Sequence, residues 1–286
     1  MKRYSFFGIA LLLPSFVFLG LLIIYPLINA VILSLHSRLI YEVQGEYVGL
    51  KNYVEVLRDR SFWHALWINV LWTAGTVGGQ LLIGIIGALL LHEVTRCKGL
   101  IRALVMLPFF IPTISVTLAW RWLLNPNFGL INYILKSTGI ITKPLSWLSS
   151  PQLALGVIIF IAIWRYFPFV LINVLARLQT IPPELYEAAR IDGATRWKEF
   201  RYITFPEIAD VLSAVTVLRI VFMFKKVDEI MMLTGGGPGN ATENLSVLAY
   251  RIAFQGMQFS KGATISILTF LILVIVSIAK SMKAEG

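Results

Sequence analysis

Ile181 to Pro206 reads IPPELYEAARIDGATRWKEFRYITFP, a short charged passage set between two long apolar segments. Its local chemistry predicts two small helices joined by a bend. Pro183 suits a first helical turn, where its missing N–H would have no intrahelical partner, and Glu184 and Glu187 place negative charge near the positive helix end. Gly193 is the expected left-handed stop, and Thr195 can cap a second helix carrying Arg196, Trp197, Lys198, Glu199 and Phe200. Thr204-Phe205-Pro206-Glu207 has capping-box spacing and predicts the start of the next apolar helix. On the first helix, Leu185, Ala188, Ala189 and Asp192 fall within helical reach of one another, and the two alanines allow another surface to approach closely. The passage reads as a docking element.

Outward from it, the chain reads as membrane. Its 286 residues are 57% hydrophobic and 14% charged, with a mean hydropathy of +0.77, far from the composition of a soluble domain. The expected fold is all-α and polytopic, a single transmembrane domain over residues 1–286. Spans are expected near Phe6–Leu35, Phe62–Leu91, Ile101–Leu124, Leu153–Leu175, Glu207–Leu233 and Ala263–Ile278, each long enough for a hydrocarbon core. The first is too long for a signal core and lacks a small-x-small cleavage site, so it reads as a retained span. Gly75, Gly79, Gly84 and Ala88 give the second span small-x-x-x-small spacing for close helix contact. Pro108 and Pro112 should kink the third and leave carbonyls in need of partners. Trp120, Trp122 and Trp147 mark an interfacial region between Trp120 and Pro151.

The net charge of +10 comes from basic residues scattered among the spans rather than a contiguous patch, which argues for topology and against nucleic-acid binding. Lys2, Arg3, Arg96, Lys98, Arg102, Arg177, Arg190, Arg196, Lys198, Arg201, Lys280 and Lys283 group on one side, close to span ends. Both termini and the Ile181–Pro206 loop are therefore expected in the cytoplasm. Cys97 alone cannot form an intrachain disulfide, and His36, His64 and His92 lack ligand spacing, so no metal, cofactor or catalytic set is expected.

Glu187-Ala188-Ala189, Gly193 four residues later, then Ile203 and Pro206 resemble the EAA signature of inner-membrane permease subunits of ATP-binding-cassette (ABC) importers. Gly49-Leu50-Lys51-Asn52-Tyr53, Leu124-Asn125-Pro126 with Gly129-Leu130-Ile131-Asn132, Ile181–Tyr186, and Leu233–Gly239 extend the resemblance over nearly the whole chain. It is most similar to the carbohydrate-uptake group, with Phe205 standing where that group more often has leucine. The resemblance implies a bacterial or archaeal inner membrane and a sugar-class substrate moved inward by alternating access. It also implies a second homologous permease, a homodimeric ATPase that carries the ATP and Mg²⁺, and an extracytoplasmic solute-binding protein. Leu185, Glu187, Ala188, Ala189, Asp192 and Gly193 would couple the chain to the ATPase, with Glu187 meeting a basic residue there.

Charges inside the spans mark pathways unless they are paired or near an end. Arg165, Tyr166 and Phe169 in the fourth span, and Arg219, Met223 and Lys226 at helical spacing in the fifth, are the candidate substrate-pathway residues. Three cations at one cavity would suit an acidic oligosaccharide or a polyol phosphate. The structural alternative is that Asp228 and Glu229 pair with Lys225, Lys226 or Arg219 and hold the bundle together. Gly235–Asn240 lacks the Gly-Lys-Ser/Thr ending of a phosphate loop, and Pro238 removes a backbone donor, so it reads as a turn. The competing functional class is an ion-coupled transporter or channel with no ATPase, in which Arg165, Arg219, Asp228 and Glu229 carry the coupling.

Overall fold

The computed structural model describes residues 2–39, 41–42, 45–94 and 97–284, with side chains between 11 and 278. Among the described residues it is all-α apart from one two-residue strand pair. The helices are α1 Lys2–Leu19, α2 Tyr25–Ser34, α3 Lys51–Arg58, α4 Arg60–Glu93, α5 Lys98–Phe110, α6 Thr113–Leu123 and α7 Leu130–Ser137. They continue as α8 Pro151–Leu178, α9 Pro183–Ile191, α10 Arg196–Glu199, α11 Phe205–Phe224, α12 Asp228–Leu233, α13 Leu245–Tyr250 and α14 Phe259–Ala284. Part of the topology argument, Arg96 and the side chains of Lys2, Arg3, Lys280 and Lys283, lies outside the described residues.

Among the described residues, four helical stretches are long and apolar enough to cross a membrane: Leu11–Ser34, Arg60–Glu93, Pro151–Leu178 and Phe259–Ile278. The third expected span is two helices, α5 and α6, meeting at 89° across a two-residue break, and counts as one further crossing if taken together. Pro112 explains the break: it cannot donate to the preceding turn and it drives Ile111 into extended backbone, with ψ of 132°. The fifth expected span ends early. α11 runs for 20 residues but carries Glu207, Asp210 and Arg219, and the chain leaves the helix at Lys225 before resuming as α12. Among the described residues, four of the six expected spans thus meet a helix long and apolar enough to cross, one meets the bent pair α5–α6, and one meets the charged α11.

The chain forms two compact units, Met1–His64 with Leu245–Ile272, and Ala65–Asn244 with Leu273–Gly286. In the first, β1 (His36–Ser37) pairs antiparallel with β2 (Glu46–Tyr47). Gly49, at a φ of +57°, turns the chain into α3, whose Asn52 is buried. The Asn52 amide donates to the carbonyls of Ser34 and His36, both at 2.8 Å, and the Tyr53 hydroxyl lies 2.7 Å from Ser34 Oγ. The Gly-Leu-Lys-Asn-Tyr motif therefore closes the end of the first span, where helix carbonyls have no intrahelical donors. Asn52→Ala removes both bonds, leaving Ser34 O only the Thr264 hydroxyl at 3.4 Å, and should cost about 1–3 kcal/mol. Thermal unfolding in detergent reads that loss.

The second unit is organised on α8, which packs against α5 and α11. Val170, Leu171, Val174 and Leu175 of α8 bury against Ala88 and Leu91 of α4 and Ile208 and Val215 of α11. The glycines of α4 permit this approach. A Cβ on Gly84 would lie 2.6 Å from Val170 Cβ and 3.1 Å from the Leu171 nitrogen. Gly84→Leu should therefore force the helices apart at a cost of about 1–3 kcal/mol, checked by the same unfolding measurement. Asn132 closes the segment after α6, accepting from Leu145 N and Trp147 Nε1 at 3.1 Å each and donating to Leu145 O at 2.9 Å.

Candidate functional site

Two groups of residues carry chemistry, both in the second unit. The first is the Ile181–Pro206 passage. Pro183 opens α9 and Arg190 stands in its last turn, complementing the helix dipole. Gly193 takes the left-handed conformation at a φ of +77°, while Gly193 N donates to Arg190 O and Ala194 N to Ala189 O, closing the helix end. Thr195 caps α10, its hydroxyl accepting from Lys198 N at 3.4 Å. Arg190 Nε reaches Glu199 Oε1 at 2.9 Å and staples the two short helices together. That carboxylate raises the pKa of the Arg190 guanidinium, first through the hydrogen bond and then through its charge.

Thr204 does not begin a helix. Its backbone is helical, with φ −62° and ψ −53°, because the helix is already running from Arg196 through one wide turn at Phe200–Thr204. Pro206, which lacks an N–H and crowds the preceding turn, accounts for that widening. The Thr204 hydroxyl instead lies 3.0 Å from the Tyr186 hydroxyl, tying α9 to the helix that follows. Of the six expected coupling residues, Leu185, Glu187, Ala188, Asp192 and Gly193 are exposed and Ala189 is half-buried. Ile191, Trp197 and Tyr202 add exposed apolar surface alongside them, at 87%, 70% and 74%. Beside α9 lies a cavity of about 490 Å³ lined by His92, Glu93, Tyr186, Glu187, Arg190 and Arg196 among others.

The second group surrounds Tyr166. Arg165 pairs with Glu229 Oε1, its side chain 6% and the glutamate 2% exposed. Arg165 Nη2 also donates to Ile111 O at 2.9 Å, so the guanidinium serves a carbonyl freed by the break between α5 and α6. The Tyr166 hydroxyl donates to the same Glu229 oxygen at 2.7 Å. Lys226 Nζ lies 3.1 Å from Asp228 Oδ1. Arg219 is 4% exposed and has no carboxylate partner among the described residues. Its Nε donates to Gln80 Oε1 at 2.8 Å and its Nη2 approaches Met223 Sδ at 3.7 Å. All three cations stand over the Tyr166 ring, at 5.1, 4.8 and 5.1 Å from its centroid for Arg165, Arg219 and Lys226, and Arg219 lies 5.5 Å from that of Phe169.

The six candidate pathway residues are thus gathered, though not on the expected face. Arg219 and Met223 share α11, but Lys226 lies beyond its end, in the break before α12. Side chains satisfy the carbonyls released there: Trp72 Nε1 donates to Met223 O at 2.9 Å and Asn244 Nδ2 to Lys226 O at 2.7 Å. The structural alternative is half realised. Glu229 pairs with Arg165, and Asp228 with Lys226, but neither carboxylate pairs with Arg219. Sequence reasoning missed Asn69, Trp72, Thr73 and Gln80 on α4, although polar residues at positions 69, 73, 76 and 80 of an apolar span were a signal.

Residues 80–283 match the family described as the binding-protein-dependent transport system inner membrane component. The chain belongs to that family. It is 35% identical over 284 residues to the inner membrane ABC transporter permease protein YcjO of Escherichia coli, covering 98% of this chain and 95% of that protein. It is 36% identical to the trehalose/maltose transport system permease protein MalF of Thermococcus litoralis, over 94% of this chain and 90% of the relative. A third relative, the diacetylchitobiose uptake system permease protein DasB of Streptomyces coelicolor, is 34% identical over 92% and 82%. These relatives are permease subunits, not enzymes. In fold, the chain is similar to a bacterial ABC transporter involved in the import of the acidic polysaccharide alginate, with a TM-score of 0.86 over 99% of this chain and 96% of that one, at 22% identity. The protein is an all-α membrane permease of this family.

Proposed function

We propose that this permease carries a sugar inward across a bacterial or archaeal inner membrane by alternating access, driven by ATP hydrolysis on partner subunits. The observation that carries the reading is the Ile181–Pro206 passage. Its α9 presents Leu185, Glu187 and Ala188 to the exterior, with Asp192 exposed just past its end, and Gly193 and the Arg190–Glu199 bridge hold it against α10. α10 continues through the wide turn at Phe200–Thr204 into α11, so a push on the loop is delivered to a helix of the bundle. The sugar class rests on the relatives, whose names give trehalose, maltose and diacetylchitobiose as their solutes.

The partners in this reading are a second homologous permease, an ATPase homodimer and a solute-binding protein on the outer side, with both termini and the coupling loop in the cytoplasm. An ion-coupled transporter would have no use for a rigid exposed loop of this form. Affinity purification from the native membrane in mild detergent, followed by mass spectrometry, tests the assembly. Recovery of an ATPase and a second permease, with ATP-driven uptake of maltose, trehalose, diacetylchitobiose or alginate oligosaccharides in vesicles, is the expected result. A chain that comes out alone and moves solute without ATP, stopped by a proton uncoupler, would overturn it.

An acidic cargo now rests on a single cation. Arg165 and Lys226 have carboxylate partners, and Arg219 alone of the three has none among the described residues. The acidic reading predicts that Arg219→Ala lowers uptake of acidic oligosaccharides more than of neutral ones. Equal uptake of both classes before and after the substitution would remove it.

A further inference from the structure

We propose that Asn69, Thr73 and Gln80 form a hydroxyl-binding lane on α4 for the transported solute, closed in this structure by contact with α11; the proposal rests on the sugar-permease reading. The three residues, with Thr76, recur at i, i+4, i+7 and i+11, which is one helical face. They lie inside an otherwise apolar crossing, and Asn69, Thr76 and Gln80 are fully buried while Thr73 is 7% exposed. Among the described residues, neither polar atom of the Asn69 side chain has a hydrogen-bond partner, nor has Thr73 Oγ1 or Gln80 Nε2. Buried polar atoms without partners are rare and costly, so a run of four on one face marks a surface that is satisfied in another state.

A merely structural role would look different. Hydroxyl side chains in apolar helices usually bond back to their own backbone, and Thr76 does so, donating to Trp72 O at 2.7 Å. Thr73 has the same option toward the preceding turn and does not take it. The unpaired set also matches its proposed ligand. Carboxamide and hydroxyl groups offer donors and acceptors in alternation, which is what sugar hydroxyls need.

Two hydrogen bonds hold α4 to α11, one at Gln80 itself and one at Trp72, next to Thr73. Arg219 Nε reaches Gln80 Oε1 at 2.8 Å, and Trp72 Nε1 reaches Met223 O at 2.9 Å. Both join α4 to α11, and α11 is bounded by the wide turn at Phe200–Thr204 and the break after Phe224, so it can shift as a rod. Its N-terminal end continues α10 and therefore the coupling loop. Movement of that loop would break the two latches and open the lane to the solute.

The test is cysteine accessibility in the assembled transporter, reconstituted in vesicles. Cys97, which is exposed, reports in the wild-type complex that the reagent reaches the protein. In a Cys97→Ser parent, Thr73→Cys and, separately, Asn69→Cys are treated with a small water-soluble methanethiosulfonate, without nucleotide and after trapping with ATP and vanadate. The expected result is labelling at least ~10-fold faster in one state than the other, slowed by whichever sugar of the uptake panel the parent carries. Gln80→Leu, which removes one latch, should raise labelling in the slower state. Failure of both cysteines to react in either state, while the Cys97→Ser parent still takes up sugar on ATP, would overturn the lane and leave the permease reading standing. Labelling that no carried sugar slows would also overturn it. Loss of ATP-driven uptake in the parent itself would count against the permease reading instead.

Discussion

Glu229→Ala is expected to destabilise the protein by about 3–5 kcal/mol, because it leaves the Arg165 guanidinium charged and buried with no counter-ion. The pair is almost wholly shielded from solvent, at 6% and 2% exposure. Glu229 also accepts the Tyr166 hydroxyl, so the substitution strands a second buried donor. Ile111 O at 2.9 Å remains for Arg165, and one neutral carbonyl does not offset a full charge. Arg165→Met combined with Glu229→Leu removes both charges and should restore most of the loss, since replacing a buried pair by apolar groups is often neutral or stabilising. Thermal unfolding in detergent of the two single variants and the double variant gives the coupling. A small effect of Glu229→Ala alone, or no recovery in the double variant, would mean that the pair does not hold α8 to α12.

That pair shows where reading the sequence stopped. The composition, the long apolar stretches and the Ile181–Pro206 loop follow local rules, so the proline at the start of α9, the left-handed Gly193 and the Thr195 cap could all be read in advance. Thr204 obeyed the same local rule and failed, because a helix already running from Arg196 left it no free end to cap. Arg165 and Glu229 are 64 residues apart, and their partnership depends on how α8 meets α12. Spacing offered Asp228 and Glu229 the partners Lys225, Lys226 and Arg219, and Asp228 does take Lys226, two residues away, whereas only packing gives Glu229 to Arg165. The polar face of α4 went unread for a similar reason. Its glycines, on the side that packs against α8, carried the stronger pattern.

On the proposed ATPase-docking reading, Glu187→Lys and Gly193→Pro should each reduce ATP-driven uptake to background, for different reasons. Glu187 is exposed and has no ion pair among the described residues, so reversing its charge should change the stability of the chain by no more than ~0.5 kcal/mol. Any loss of uptake in that variant therefore belongs to the surface α9 presents. In a desolvated interface, a lysine facing a basic residue of the ATPase would leave both charges unpaired, a cost of about 2–5 kcal/mol in association. Gly193→Pro acts through the backbone. Proline holds φ near −65°, whereas position 193 sits at +77°, and it would delete the N–H that donates to Arg190 O. The turn between α9 and α10 would have to re-form, swinging the exposed face of α9 away from its partner while the crossings of the bundle remain intact. Uptake in vesicles, recovery of the ATPase on affinity purification, and thermal unfolding of the permease separate these outcomes. Glu187→Lys should lose the first two and keep the third. Normal uptake in both variants would remove the proposed docking role from this loop, and with it the proposed route from ATP binding to α11.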